Sequence, residues 1–156
     1  MNWKISLICL MIFMSLPVTS MAQKNDPKDL GYAQAPQTEP TKRYCLTLEL
    51  KDEPELIEEY EKWHQPGNIW SEVTDGLKKV GIIDSEIYRS GTLLVMILTV
   101  PADFDFDKQM GTLAQLPRQA EWEEFMSKFQ ASDPDASSAQ KWVKLTRIFK
   151  LPSAGQ

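Results

Sequence analysis

One histidine, two cysteines and seven glycines in 156 residues leave few ways to build a reactive centre. No glycine-rich phosphate loop occurs, and no serine, histidine and aspartate stand in the context of a nucleophilic triad. With His64 the sole imidazole and Cys9 and Cys45 the only thiols, the donors for a His/Cys zinc site are missing. Positive charge is also in short supply. Seventeen Lys and Arg against twenty-two Asp and Glu give a formal charge of −5, so the chain has no basic footprint for nucleic acid. The one long apolar run, residues 5–18, is too short to span a bilayer comfortably.

What that run does resemble is the apolar core of a secretory leader. Lys4 precedes it, Ser20 and Ala22 follow it, and the expected cleavage lies between Ala22 and Gln23. Residues 1–22 are therefore expected to act as a signal peptide and the protein to be exported, with a bacterial periplasm the expected destination and no stable membrane insertion after cleavage. Removing Lys4 takes the formal charge from −5 to −6, and Cys45 is left without an intramolecular disulfide partner. Residues 23–42 carry three prolines and almost no large aliphatics, and are expected to be a disordered linker. Residues 43–152, about 110 positions, suffice for one small domain.

Within that domain the periodicity of apolar residues changes four times. Tyr44, Leu46, Leu48 and Leu50 alternate with Arg43, Cys45, Thr47 and Glu49, which predicts a strand. Leu56, Ile57, Tyr60, Trp63 and His64 recur at helical spacing until Pro66-Gly67, and Asn68 is placed to cap a second helical segment that ends at Gly81. Residues 82–90 and 92–100 read as a hairpin turning at Ser90-Gly91. The second arm, TLLVMILTV, is apolar on both faces and needs cover on both. Helical segments follow to Leu116 and again beyond Pro117, where Trp122, Phe125, Met126 and Phe129 form a stripe. Residues 141–151 alternate as a closing strand. The order βαββαβ predicts an α+β, ferredoxin-like subunit. Because its helices can cover only one face of the sheet, two subunits are expected to pair face to face as a dimeric α+β barrel, a homodimer.

Tyr60 and His64, spaced i and i+4, project from one face of the same helix. Such a pair is either an aromatic core stripe with its imidazole bonded to a carbonyl, or a proton-transfer group with a phenol beside it. Trp122 is open to the same two readings, since an indole can pack in a core or lie against the C–H face of a pyranose. Asp103, Asp105 and Asp107 begin like a calcium loop, but Lys108 stands where its turn glycine belongs and Ala114 where its last acid belongs. Glu121, Glu123 and Glu124 read as a solvated helix face. These exclusions leave chemistry without a metal or cofactor.

The chain resembles the L-rhamnose mutarotase family, with its L-fucose relatives, over roughly residues 43–152. The likeness rests on Tyr60-x-x-x-His64, on Ile69-Trp70-x-Glu72, on Ile87-Tyr88, on Glu121-Trp122 through Phe125-Met126, and on the closing IFKLP. The resemblance implies a dimeric α+β barrel and a cofactor-free isomerase acting on a monosaccharide. It makes the residue at His64 the proton donor and the residue at Tyr60 a sugar contact. The family also uses a tyrosine three positions before Tyr88 and a Trp-Trp pair, where this chain has Ser85 and Trp122-Glu123. Two additional residues also lengthen the stretch from His64 to Trp70. The catalytic pair is thus retained while part of the pocket is altered, and Tyr88 or Glu123 is expected to take over hydrogen bonding. The expected activity is exchange of the α and β anomers of a 6-deoxyhexose, with His64 and Tyr60 catalytic and Tyr60, Ser85, Tyr88, Trp122 and Glu123 binding substrate. Alternatives are an exported sugar-binding protein that lost catalysis, or, by fold analogy alone, a cofactor-independent oxygenase or a haem-degrading enzyme using His64 as ligand.

Overall fold

The computed structural model describes residues 31–133, 136 and 138–152. The expected signal peptide, residues 1–22, and the first part of the expected linker, residues 23–30, lie outside the described residues. The chain divides into two compact units, Met1–Pro36 and Gln37–Gln156, and the architecture below is that of the second. Residues 31–40 form no helix or strand and are exposed.

Strand β1 (Thr41–Glu49) opens the sheet and is followed by α1 (Pro54–Trp63) and α2 (Ser71–Lys79). The hairpin β2 (Asp84–Ser90) and β3 (Leu93–Pro101) comes next, then α3 (Phe106–Leu113) and α4 (Gln119–Ser127). A short α5 (Ser138–Lys141) leads into β4 (Val143–Lys144). The sheet order is β2-β3-β1-β4, with every neighbouring pair antiparallel. This is the ferredoxin-like arrangement expected from the order of elements. Ser90 pairs with Leu93, which leaves Gly91-Thr92 as the two-residue turn, and Gly91 supplies the positive φ of 62° that such a turn needs.

Leu46 and Leu48 on β1, Leu50 just beyond it, and Leu94, Leu98 and Val100 on β3 point to the side covered by helices and are buried. They sort into two clusters along the sheet. One gathers Leu46, Leu98 and Val100 against Val80, Phe106 and Leu113. The other gathers Leu48, Leu50 and Leu94 against Tyr60, Val73, Trp122, Met126 and Phe129. On the opposite side of the sheet, Cys45, Thr47, Val95 and Ile97 are half-buried.

Two local expectations are corrected. Asn68 does not cap α2, whose N-cap is Trp70 without a side-chain bond. Asn68 Nδ2 instead donates to the Lys62 carbonyl at 2.6 Å, closing the other end of the break, where helical carbonyls lack partners. The closing strand is shorter than residues 141–151, because α5 includes Lys141 and only Val143 and Lys144 form β4. Beyond Leu145, whose amide still donates to the Cys45 carbonyl at 2.7 Å, the alternation persists without a strand beside it, and Ile148, Phe149 and Leu151 remain 97%, 71% and 75% exposed. Asp105, read against a calcium loop, is the N-cap of α3, its side chain accepting from the Lys108 amide at 3.1 Å.

Phe129 is fully buried at the centre of the second cluster, edge-on to Tyr60 at 6.0 Å and to Phe125 at 5.5 Å. Truncating it opens a void under the helix that carries His64. Phe129→Ala is expected to lower the unfolding free energy by about 3–5 kcal/mol in a urea titration. A loss under about 1 kcal/mol would show that this cluster does not anchor α1.

Candidate active site

Helix α1 starts at Pro54, where a residue without an amide hydrogen costs no helical bond. It stops at Trp63, because Pro66 disfavours helical geometry at Gln65 and Gly67 takes φ 87°. His64 is therefore the C-cap, with φ −94° and ψ 0°, and its backbone amide donates to the carbonyls of Tyr60 and Glu61 at 3.2 and 3.1 Å.

The imidazole uses the same acceptor. His64 Nδ1 lies 2.8 Å from the Tyr60 backbone oxygen. A carbonyl can only accept, so Nδ1 carries the proton in this bond, and in the neutral ring Nε2 holds the free lone pair. The ring stacks on the Tyr60 phenol at a centroid separation of 4.0 Å and meets Trp122 edge-on at 5.8 Å. Trp122 in turn meets Trp70 edge-on at 5.3 Å, and Trp70 lies parallel to Phe125 at 6.0 Å. These rings form a continuous aromatic wall. Tyr60 and Trp122 are buried at 3% and 7% exposure, whereas His64 is only half-buried.

Burial shifts both titratable members of the group. It pushes the Tyr60 hydroxyl well above its ordinary value of 10, so the phenol stays protonated. It pulls His64 below 6.5, an effect partly opposed by the bond to the Tyr60 carbonyl, so the ring is neutral at pH 7. A neutral imidazole with a bare nitrogen, beside a protonated phenol, can accept and return a proton.

The other sequence-selected residues are placed differently. Glu123 follows Trp122 on α4, and its Oε1 accepts from Gln119 Nε2 at 3.1 Å. Ser85 and Tyr88 lie on the edge strand β2, on opposite faces. Ser85 pairs with Leu98 and shares the helix side, while Tyr88 pairs with Val95 and points to the far side. The Tyr88 hydroxyl donates there to Glu86 at 3.1 Å. Within one subunit the structure thus brings together Tyr60, His64 and Trp122, with Glu123 adjacent on the helix, and does not bring Tyr88 to them. The odd spacing between residues 85 and 88 carried this signal, since positions three apart on a strand face opposite ways. A surface hollow of about 450 Å³ lined by Glu39, Pro40, Ile83, Pro101, Ala102 and Asp103 contains none of these residues.

Two members of the wall were not selected as site residues from the sequence. Trp70 and Phe125 read as helix-stripe positions, and only the tertiary fold shows that they continue the Trp122 surface. Among the described residues, no group of three or more His, Cys, Asp or Glu side chains could hold a metal ion. Among them too, no helix is long and apolar enough to cross a membrane.

Comparison with known proteins gives one answer. The L-rhamnose mutarotase family profile matches residues 43–151. An L-fucose mutarotase of Xanthomonas campestris pv. campestris is 41% identical over 112 residues, covering 72% of this chain and 90% of the relative. A UPF0734 protein of Dictyostelium discoideum is 36% identical over 114 residues, covering 70% and 90%. The crystal structure of an L-rhamnose mutarotase from Formosa agariphila superposes with a TM-score of 0.55 at 20% identity, over 71% of this chain and 99% of that one, and so shares the fold. A ferredoxin-like sheet and a family match across nearly the whole domain converge: this chain belongs to the L-rhamnose mutarotase family and is a sugar-anomer isomerase.

Proposed function

We propose that the protein interconverts the α and β anomers of a 6-deoxyhexose, L-rhamnose or L-fucose, with His64 as the proton shuttle. The observation that carries this reading is the bond from His64 Nδ1 to the Tyr60 carbonyl, which leaves Nε2 bare at the half-buried edge of an aromatic wall. Nε2 takes the proton from the anomeric hydroxyl as the bond from C1 to the ring oxygen breaks, and passes that proton to the ring oxygen. The open-chain aldehyde turns about its C1–C2 bond, and the same nitrogen reverses both transfers as the ring closes on the other face. One proton is borrowed and returned, so no cofactor is consumed. Tyr60, kept protonated by burial, orients the sugar and stabilises developing negative charge. Trp122 offers its indole to the C–H face and the methyl group of the sugar. Ser85 and Glu123 stand where the family pattern has sugar-contacting aromatics, and are the positions at which sugar preference is set.

The sheet face away from the helices supports pairing with a second copy. Val95 and Ile97 on that face are half-buried, and Ile148, Phe149 and Leu151 extend into solvent beyond β4. The apolar run at residues 5–18 supports export to the periplasm. Protein recovered from a periplasmic fraction is expected to begin at Gln23 and to show the mass of two chains by light scattering, with Ile97→Asp reducing it to one. A single-chain mass for the unaltered protein would contradict the pairing, and retention of residues 1–22 would contradict the cleavage.

The activity itself is read by saturation-transfer NMR on freshly dissolved α-L-rhamnose or α-L-fucose. Exchange above buffer is expected, falling about 10²- to 10⁴-fold in His64→Ala. Because the competent ring is the neutral one and its pKa is depressed, the rate should hold from pH 7.5 down to about 6.5 and fall only below that value. Binding of either sugar without exchange would leave a sugar-binding protein, and full activity in His64→Ala would remove the shuttle.

A further inference from the structure

Among the described residues, Arg118 is the only non-glycine with a left-handed backbone, at φ 61° and ψ 2°. A residue with a Cβ adopts that conformation at a cost and holds it only where its surroundings enforce it. Arg118 stands at the N-cap of α4, directly after Pro117, and makes no side-chain cap bond there.

What its side chain does instead is reach across to α2. The guanidinium carbon lies 4.0 Å from the centroid of the Trp70 ring, close enough for a cation–π contact. Nη1 reaches Glu72 at 3.4 Å and Nε reaches Glu121 at 3.3 Å. One planar group thus holds the first turn of α2, the first turn of α4 and the indole between them. Arg118 and Glu72 are about two-fifths exposed and Glu121 about three-fifths, and such pairs add little stability. A glycine would start α4 without backbone strain, so stability alone does not account for an arginine here.

The position of Trp70 supplies the reason. Its ring meets Trp122 at 5.3 Å, and Trp122 meets His64 at 5.8 Å. The Arg118 carbonyl also accepts from the Trp122 backbone amide at 3.0 Å. We infer that Arg118 is a positioning residue for sugar binding: its guanidinium pins Trp70, and through Trp70 it sets the angle of the Trp122 indole against His64. The inference rests on the mutarotase reading proposed above. Arg118 touches neither His64 nor the reacting atoms, so its effect falls on how well the sugar is held and not on proton transfer.

Arg118→Gly separates the two roles, because it relieves the left-handed backbone while deleting the clamp. The thermal midpoint should stay within about 3 °C of the unaltered protein, since relief of strain offsets the lost contacts. The KM for the deoxyhexose should rise about three- to fivefold with kcat changed less than about twofold, the near-ultraviolet circular dichroism of the tryptophans should weaken, and Arg118→Lys should recover part of the KM. An unchanged KM in Arg118→Gly, whether the midpoint falls or not, would overturn the inference, as would a loss confined to kcat. If the unaltered protein shows no anomer exchange, the mutarotase reading fails, and calorimetric titration with L-rhamnose and L-fucose then decides the role of Arg118. A weaker Kd in Arg118→Gly sustains it, whereas an equal Kd, or no binding by the unaltered protein, ends it.

Discussion

A single backbone oxygen organises the chemistry of this domain. The Tyr60 carbonyl, at the point where Pro66 and Gly67 stop α1, accepts from both the amide and the Nδ1 of His64. Two bonds to one acceptor fix the rotamer of the ring, its stacking on Tyr60 and its tautomer together. If the helix ran on, residue 64 would donate its amide to the same carbonyl, but the chain would not turn away to leave the imidazole at the edge of the fold. The break after α1 is thus the feature that leaves the imidazole half-buried, as the proposed proton shuttle requires.

Around that group the domain spends its largest side chains. Tyr60, Trp70, Trp122, Phe125 and Phe129 belong to or pack on the same cluster as Leu48, Leu50 and Leu94 of the sheet. Aromatic rings meeting edge-on keep their faces and edges in defined relation, which gives the wall a shape that aliphatic packing would not define as sharply. The same burial that stabilises the cluster raises the phenol and lowers the imidazole, so packing and reactivity have one cause. The ring is bonded to a carbonyl as a core histidine would be, and its remaining nitrogen supports the proton-transfer role proposed for it.

Much of this was legible in the residues themselves. Period-two alternation located β1, two extended runs joined at Ser90-Gly91 located β2 and β3 and marked the hairpin to within one residue, and helical spacing located α1 and the stripe on α4. The spacing of Tyr60 and His64 placed them together, and the structure adds Trp122 beside them. The closing strand was overextended for a physical reason: alternation tells which side chains share a face, but a strand exists only where another strand bonds to it, and β1 pairs with Val143 and Lys144 and takes one further bond from the Leu145 amide. Asn68 was assigned to the wrong helix because a side-chain amide can donate to a C-terminus as readily as its oxygen can accept at an N-terminus. The left-handed Arg118 had no signature at all, since the groups its side chain meets, Trp70, Glu72 and Glu121, all lie more than two residues from it in sequence.

Because the chain has one histidine, its imidazole contributes a single pair of ring-nitrogen resonances, and nitrogen-15 NMR reads the central bond directly. At pH 7.5 the account predicts Nδ1 protonated, Nε2 bare, and a titration midpoint below 6.5. A ring protonated on Nε2 instead, or one that titrates above 6.5, would contradict it.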